Sequence, residues 1–146
     1  MTEPLRVLVV GCGNMGRSHA LAYQQLDDFA LCGLVARGES KQRLNATLAT
    51  PVPLFDELKT AIAETQPDAV CIATWPDSHE TLALTALAAG CHVFIEKPLA
   101  TTVTGAKRLV ATAQLAGKKL MVGYILRHHP AWQQFIARAR NLGKPL

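Results

Sequence analysis

Short apolar runs alternate with longer helical patterns along the whole chain, and this alternation restricts the possible folds more than any other feature. Strands are predicted at residues 6–10, 29–36, 68–74, 92–96 and 119–125, and helices at residues 14–27, 39–48, 56–65, 77–89 and 102–116. The apolar runs hardly alternate with polar residues, which is typical of strands that are buried on both faces. The order of elements predicts the α/β class, with a doubly wound parallel sheet, helices on both faces and right-handed crossovers.

The fourth and fifth helices carry boundary signals. Asp77 or Ser78 is expected to cap the start of the fourth helix, because short polar side chains accept hydrogen bonds from the first N–H groups of a helix. Gly90 and Gly117 stand where the fourth and fifth helices are expected to end, since glycine tolerates the left-handed backbone that closes many helices.

Composition narrows the class of protein. The chain has 146 residues, of which 49% are hydrophobic, so it can bury a core as a single domain and is not intrinsically disordered. The formal net charge is +4, but the lysines and arginines are scattered and few aromatic residues accompany them. This pattern suits a protein that binds a phosphate-bearing cofactor, and we expect no nucleic-acid partner.

The cysteines and the apolar stretches exclude several kinds of site. The four cysteines, at positions 12, 32, 71 and 91, include no C-x-x-C pair, so neither a zinc site nor a redox motif is predicted. The first residues lack the features of a signal peptide, and no stretch of about 18 apolar residues occurs. We therefore expect a cytoplasmic protein with no metal site and no membrane partner.

A glycine-rich turn follows the first predicted strand. Residues 11–16 satisfy the pattern G-x-G-x-x-G, in which Gly11 permits a tight turn, Gly13 lets a pyrophosphate approach the backbone and Gly16 lets the helix pack on the strand. The helix that begins at Asn14 and Met15 presents N–H groups to the phosphates. We predict that these five residues bind a dinucleotide in a Rossmann-like domain; the alternative is a glycine-rich turn without a ligand.

The residues after the second strand bear on the choice between NAD and NADP. A carboxylate that binds the ribose is expected about 20 residues after the glycines, but Ala36 stands there and Arg37 follows it. An arginine with Ser40 and Lys41 close behind suits a 2′-phosphate, so NADP is favoured over NAD. Two alternatives stay open: Glu39 takes the place of the missing acid, or Arg37 and Lys41 are solvated loop charges.

Three segments carry a family resemblance: residues 11–20 (GCGNMGRSHA), residues 68–102, which contain VFIEKPL, and residues 122–132 (VGYILRHHPAW). Together they resemble the N-terminal half of the Gfo/Idh/MocA oxidoreductases, the family of glucose–fructose oxidoreductase and inositol dehydrogenase. The resemblance extends over essentially all 146 residues. The Glu-Lys-Pro sequence that begins at the end of the strand predicted at residues 92–96 is its most specific part.

The resemblance implies roles for Glu96, Lys97 and Pro98, because members of the family place this sequence at the nicotinamide end of the cofactor cleft. Lys97, the predicted catalytic residue, would contact the nicotinamide ribose and the reacting oxygen of a sugar-like substrate. An ammonium there polarises a carbonyl or stabilises an alkoxide. Glu96 would position Lys97 or bind the ribose, and Pro98 would fix the turn out of the strand. The alternative is an ordinary surface Glu-Lys pair.

By the same resemblance, Thr74, Trp75 and His79 line the cofactor where the strand predicted at residues 68–74 ends. The family often has Thr-Pro-Asn where this chain has Thr74-Trp75-Pro76. This departure leaves the contacts of the nicotinamide open. For His79 the alternative is an ordinary place in the first turn of a helix.

The remaining histidines and the end of the last predicted strand are less informative. Where the family commonly has a Phe-Asn-Arg-Arg-like run, this chain has residues 124–127, and only Arg127 keeps a charge suited to substrate or phosphate. His128 and His129 are expected to be structural or solvent-facing. His19 and His92 are expected to be packing residues.

The predicted organisation is an NAD(P)-binding domain over residues 1–129 and a connecting helix over residues 130–146. The resemblance implies that a C-terminal α/β domain follows, which covers the cofactor, binds most of the substrate, forms subunit contacts and supplies an acid–base residue. Trp132, Phe135 and Ile136 would pack against that domain. A protein that includes it is expected to be a homo-oligomer.

Two functions from different classes follow. The first is an NAD(P)-dependent oxidoreductase that transfers a hydride between the nicotinamide and a sugar, a polyol or a related small molecule, with this chain as its nucleotide-binding half. The second is an isolated dinucleotide-binding module without turnover. Other two-domain dehydrogenases with the same nucleotide fold are disfavoured by the sequence IEKPL.

Overall fold

The computed structural model describes residues 3–142, which form the predicted α/β fold: a six-stranded parallel sheet with helices on both faces. The elements, in chain order, are β1 Leu5–Val10, α1 Asn14–Gln25, β2 Phe29–Val35, α2 Ser40–Asn45, β3 Leu54–Phe55, α3 Leu58–Thr65, β4 Ala69–Ile72, α4 Pro76–Ala88, β5 His92–Ile95, α5 Val103–Leu115, β6 Leu120–Val122, the 3₁₀ helix η1 Ile125–His128 and α6 Pro130–Asn141. No helix in this part of the chain is long and apolar enough to cross a membrane.

The strand order is β3-β2-β1-β4-β5-β6, and every pair of neighbours is parallel. The chain runs outward from β1 to β3, crosses back over β1 and continues outward from β4 to β6. At the point where this direction reverses, the connections leave β1 and β4 toward opposite sides, so a crevice forms at their carboxyl ends. Ligands of such sheets bind in that crevice.

The sheet separates two clusters of buried apolar side chains, and β1 contributes to both. Val7 and Val9 pack in the cluster that includes residues of α1 and α2, and Leu8 and Val10 pack in the cluster that includes residues of α3, α4 and α5. All four side chains are buried. Burying a side chain of this kind stabilises the fold by about 1.5–3 kcal/mol, so the unbroken apolar sequence of β1 holds the two layers together.

Two strands differ from the sequence prediction. β3 is not predicted, because it has only two residues, follows Pro51 and Pro53, and is too short to show a hydrophobic pattern. It exists through its pairing with β2. β6 ends at Val122, earlier than predicted, because the chain then turns into η1 at Ile125.

The start of α4 also differs from the prediction. Trp75 is the N-cap and Pro76 is the first helical residue, so Asp77 and Ser78 lie inside the first turn and neither caps the helix. Proline suits this position because its missing N–H would have no partner there. The predicted helix ends are confirmed, since a glycine with positive φ follows each of α4 and α5.

The helix α6 lies where a connecting helix is predicted, and the last four residues of that prediction lie outside the described residues. α6 packs on η1. Its apolar side chains are not covered by the sheet: Trp132 is 43% exposed, Phe135 55% and Ile136 37%. The rings of Trp132 and Phe135 meet edge to face, with their centres 5.7 Å apart.

Candidate functional site

The predicted site residues follow four different strands and meet at the carboxyl edge of the sheet. Gly11 follows β1, Arg37 comes after β2, Thr74 comes after β4, and Glu96 and Lys97 follow β5. Because all these strands are parallel, their carboxyl ends lie side by side. The fold therefore brings segments that are up to 86 positions apart in the sequence to one edge, which contains the crevice between β1 and β4.

Two glycines of the G-x-G-x-x-G segment, one in the turn after β1 and one in the first turn of α1, have no room for a side chain. Gly11 has a φ of +96°, and a Cβ atom on it would overlap the carbonyl oxygen of Ala73. A Cβ atom on Gly16 would overlap the carbonyl oxygen of Gly11. Glycine at these positions lets the helix pack tightly against the turn, and lets the turn pack against the loop after β4.

Gly13 differs from these two glycines, because a Cβ atom on it would meet no other atom within 4 Å. Gly13 is the N-cap of α1, no side chain caps the helix, and the first turn contains no acidic residue. Asn14 and Met15 are exposed. The protein's own packing does not require glycine here, so the missing side chain leaves space beside uncapped N–H groups that can bind an anion.

After β2, one cation faces solvent and another does not. Arg37 is exposed and forms no ion pair within residues 3–142. Lys41 is buried, and its Nζ donates to the carbonyl oxygens of Ala36 and Gly38 and to the carboxylate of Asp56. The alternative that Lys41 is a solvated loop charge is therefore wrong. Arg37 is the exposed cation of this turn.

Glu39 is the N-cap residue of α2, and its side chain pairs with Arg43 on the protein surface. Its Oε2 is 3.5 Å from the guanidinium nitrogen of Arg43, and both side chains are largely exposed. Exposed pairs of this spacing stabilise a helix by only about 0.3–0.5 kcal/mol. The carboxylate beside the end of β2 is instead that of Asp56, which follows β3 and is bound by Lys41.

After β4, the hydroxyl groups of Thr74 and Ser78 are 2.7 Å apart. Ser78 Oγ also donates to the carbonyl oxygen of Trp75. Because a hydroxyl has one proton to donate, Thr74 donates to Ser78 in this arrangement. The indole of Trp75 is 84% exposed at the start of α4, so a large aromatic surface stands at the carboxyl edge.

His79 is completely buried beneath this loop. Its Nδ1 is 2.7 Å from the carbonyl oxygen of Pro98, and its Nε2 is 3.1 Å from that of Thr74. A neutral imidazole donates to only one of these oxygens, and the doubly protonated ring donates to both. His79 joins the loop after β4 to the segment after β5, where the Lys97–Pro98 peptide bond is cis. The resemblance implies a cofactor contact for His79. In the structure the ring is fully buried and both of its nitrogens lie against backbone oxygens, so neither nitrogen is exposed to a cofactor.

Glu96 is buried at the end of β5, with a histidine as its partner. His19 Nε2 lies 2.8 Å from Glu96 Oε1, and the side chains of His19 and Glu96 are 18% and 8% exposed. A Cβ atom on Gly123 would lie 3.1 Å from the same oxygen, so the carboxylate is also tightly packed. The His19 ring contacts Phe94 edge to face, which agrees with the expected packing role. In addition, His19 provides the polar partner that a buried carboxylate needs.

Lys97 follows Glu96 and is exposed. It forms no ion pair with any other residue in the range 3–142. The residues on both sides of it are held in place: Glu96 binds His19 of α1, and Pro98 binds His79 of α4. The backbone at Lys97 is therefore anchored from two helices, while its ammonium is available to a ligand.

After β6, the polar residues have local partners. The guanidinium carbon of Arg127 lies 5.5 Å from the centre of the Tyr124 ring, a cation–π contact. His129 caps α6, because its Nδ1 accepts a hydrogen bond from the N–H of Ala131. His128 is exposed. These positions agree with the expected structural or solvent-facing roles of the two histidines.

The cysteine within the glycine-rich turn is not an activated nucleophile. Burial raises the pKa of the Cys12 thiol to about 11, and the nearby Lys41 ammonium only partly opposes this effect. Burial likewise raises the pKa of Cys71 to about 12. Since the thiolate is the reactive form, neither side chain supports nucleophilic chemistry near neutral pH.

The sequence analysis does not identify the polar partners of two residues at this edge. These partners are His19, which binds Glu96, and Asp56, which binds Lys41. His19 carries a usable signal: with Gly16 and Tyr23 it recurs at helical spacing on the side of α1 that faces the sheet, and a polar ring there needs a polar partner. Asp56 carries none. Its position beside Lys41 depends on the pairing of β2 with β3, which the sequence does not predict.

Comparison with known proteins connects this geometry with enzymes. Residues 5–124 match the family described as "Oxidoreductase family, NAD-binding Rossmann fold". The inositol 2-dehydrogenase of Paracoccus denitrificans (strain Pd 1222) is 35% identical over 134 residues, which cover 88% of this chain and 39% of that enzyme. The match includes both the glycine-rich turn and the residues that follow β5, so it covers the whole carboxyl edge of the sheet.

Two solved structures have the same fold. GenD2 from gentamicin A biosynthesis, in complex with NAD, superposes with a TM-score of 0.83 at 32% identity, over 89% of this chain and 37% of that chain. A variant of KijD10, a 3-ketoreductase from Actinomadura kijaniata in complex with TDP-benzene and NADP, superposes with a TM-score of 0.84 at 27% identity, over 94% and 44%. The chain thus spans less than half the length of each of these three proteins.

Proposed function

The chain belongs to the Gfo/Idh/MocA family of oxidoreductases, and on that premise we propose that it is the nucleotide-binding part of an NAD(P)-dependent dehydrogenase. The substrate would be a sugar, a polyol or a related alcohol or carbonyl compound. The observation that carries the proposal is the open side of Gly13, next to the uncapped start of α1 at the β1–β4 crevice. The names of the relatives, an inositol 2-dehydrogenase and a 3-ketoreductase, support the substrate class.

The chain's own residues fit a dinucleotide. The N–H groups at Asn14 and Met15 would bind the pyrophosphate with the aid of the helix dipole, and Gly13 leaves room for it. Thr74 and Trp75 would line the middle of the cleft, beside the glycine-rich turn that contacts their loop. When it is bound, the cofactor supplies the hydride chemistry, and the protein binds and orients it.

Lys97 is the proposed catalytic residue. Its ammonium would donate a hydrogen bond to the reacting oxygen of the substrate and stabilise the negative charge that develops there. The hydrogen bonds of His19 to Glu96 and of His79 to Pro98 would keep it in place during this step. Removing a donor of this kind typically costs about 10²–10³ in kcat.

The binding proposal is tested at Gly13. Gly13→Val places an isopropyl group in the open space beside the helix start without disturbing the protein's own packing, so we expect a folded chain that no longer binds NAD or NADP by calorimetry. Ala22→Val, at an exposed position of the same helix, is the control and should bind normally. Unchanged affinity in a folded Gly13→Val variant contradicts the proposal.

For the choice of cofactor, we propose that NADP is preferred and that Arg37 binds its 2′-phosphate. Arg37→Ala should then weaken NADP binding by about 1–3 kcal/mol, roughly 5- to 150-fold, and leave NAD binding nearly unchanged. Arg43→Ala, which removes an exposed cation from α2, is the matched control. Tighter binding of NAD than of NADP by the unaltered chain refutes the preference.

Turnover separates the enzyme from a binding module. By the family resemblance, a second domain supplies the acid–base residue, and general acid–base catalysis contributes about 10²–10⁴-fold. We expect the 146-residue chain alone to bind cofactor without measurable dehydrogenase activity on inositol or sugars. In a protein that includes that domain, Lys97→Ala should reduce kcat far more than cofactor affinity. An active Lys97→Ala enzyme removes Lys97 from the mechanism.

A further inference from the structure

The helix α2, which begins directly after the turn that follows β2, contains a lysine whose position is unusual for its chemistry. Lys41 is 6% exposed, although lysine is almost never buried without charged or polar partners. Its neighbours Arg37, Glu39 and Arg43 are all exposed. A buried ammonium costs stability unless its N–H groups are bound, so the contacts of Lys41 define what it does.

All three donors of the Lys41 ammonium have acceptors. Nζ donates to the carbonyl oxygen of Ala36 at 2.9 Å, to that of Gly38 at 3.0 Å and to Oδ1 of Asp56 at 2.6 Å. The first two acceptors are the residues on either side of Arg37. The third acceptor, Asp56, directly follows β3. The lysine therefore fastens the turn that contains Arg37 to the neighbouring strand.

This set of contacts leaves Lys41 without a donor for a cofactor. Ala36 occupies the position where dinucleotide-binding domains usually carry the acid that binds the ribose. Its N–H donates to the carbonyl oxygen of Phe55, so the end of β2 is held to β3 by backbone as well as by Lys41. The turn after β2 thus consists of the backbone of residues 36–38, held in place by Lys41, and the exposed side chain of Arg37.

We propose that Lys41 is a positioning residue for the ribose of the cofactor: it holds the turn of residues 36–38 against Asp56 in the shape that receives NAD and NADP alike. Discrimination between the two cofactors is left to Arg37. This inference rests on the proposed dinucleotide-binding function. It differs from the simplest expectation for a lysine after β2, which is direct binding of the 2′-phosphate.

The two roles of Lys41 predict different results with NAD, which has no 2′-phosphate. If Lys41 positions the turn, Lys41→Met should weaken NAD and NADP binding by a similar factor, about tenfold, because the turn must be ordered on binding. If it binds the phosphate, only NADP binding should fall. Lys59→Met removes the same charge from an exposed position of α3 and is the matched control.

Asp56→Asn provides a second variant in case Lys41→Met does not fold. The Asp56 side chain is 74% exposed, so its replacement is compatible with folding. It removes the charged acceptor of Lys41 and should weaken NAD binding in the same direction as Lys41→Met. The double variant should be no weaker than the more affected single variant, because both changes disrupt one contact.

Hydrogen exchange at the amide of Ala36, measured without cofactor, gives a reading that does not depend on binding. It should be faster in Lys41→Met and in Asp56→Asn than in the unaltered chain and in Lys59→Met. Unchanged NAD affinity and unchanged exchange in both variants overturn the inference while the dinucleotide proposal stands. An unaltered chain that binds neither NAD nor NADP overturns both.

Discussion

His79 allows the sharpest test of how the carboxyl edge is held together. The change is His79→Leu, which keeps a buried side chain of similar size and removes both ring nitrogens. The ring is fully buried, and its nitrogens lie 2.7 Å and 3.1 Å from the carbonyl oxygens of Pro98 and Thr74. In the variant, a carbonyl oxygen that accepts a hydrogen bond from the ring loses its buried donor.

The expected loss follows from the hydrogen bond that the ring donates. A carbonyl oxygen that loses its donor costs about 1–3 kcal/mol where water does not replace the donor, and the added apolar surface of leucine offsets part of this. We expect the free energy of unfolding to fall by about 1–3 kcal/mol. For a chain of this size about 1 kcal/mol corresponds to roughly 2–4 °C, so the melting temperature should fall by about 2–12 °C.

Urea denaturation followed by circular dichroism measures this loss directly. His92→Leu is the matched control, because His92 Nδ1 accepts only one hydrogen bond, from the N–H of Lys119, at an exposed site where water can replace it. That variant should lose about 1 kcal/mol or less. For His79→Asn, which keeps an amide donor, the loss in free energy of unfolding should lie between those of His79→Leu and His92→Leu. Equal midpoints for His79→Leu and His92→Leu would refute the reasoning.

Three further predictions concern neighbouring positions. Gly16→Ala should prevent folding, because the added Cβ atom would overlap the backbone of the turn, whereas Gly13→Ala should fold normally. Circular dichroism distinguishes the two variants, and a folded Gly16→Ala protein would contradict the prediction. His19→Leu should lower the free energy of unfolding by about 1–3 kcal/mol, because Glu96 loses its hydrogen-bond partner. His19→Gln should recover part of this loss, as measured by urea denaturation. Equal losses in the two variants would contradict the pairing. Burial raises the pKa of Cys71 from its ordinary 9.0 to about 12, so the unfolded chain loses this proton at a lower pH than the folded chain. Stability should therefore fall as the pH rises from about 9 to about 12. Denaturation midpoints that rise over this range would contradict the prediction.

Much of this fold is determined by residues that are close together in the sequence. The alternation of apolar runs with helical patterns determines a parallel sheet, because strands without polar positions must be covered on both faces. The glycine-rich turn is local as well: Gly11 has a φ of +96°, which favours glycine, and a side chain at Gly16 would overlap the carbonyl oxygen of Gly11, five residues earlier. Features of this kind depend on neighbours in sequence, so a sequence pattern reveals them.

Other features were decided only by the tertiary structure. β3 has too few residues to form a pattern and exists because β2 offers it a partner. The burial of Lys41 depends in turn on that pairing, which brings Asp56 within 2.6 Å of its ammonium. From the sequence, Lys41 resembles any charged residue of a loop. A buried charge is stable only where its partners are already in place, and those partners come from another strand.

The same distinction holds around Lys97. The sequence Glu-Lys-Pro identifies the segment, but it does not tell which side chain reaches the crevice. Packing decides this: His19, 77 positions earlier in the chain, takes the carboxylate of Glu96 into the interior, and His79 holds the carbonyl of Pro98. The ammonium between them remains exposed. A sequence determines the chemistry that a segment carries, whereas the direction of each side chain depends on which distant groups can satisfy its hydrogen bonds once water is excluded.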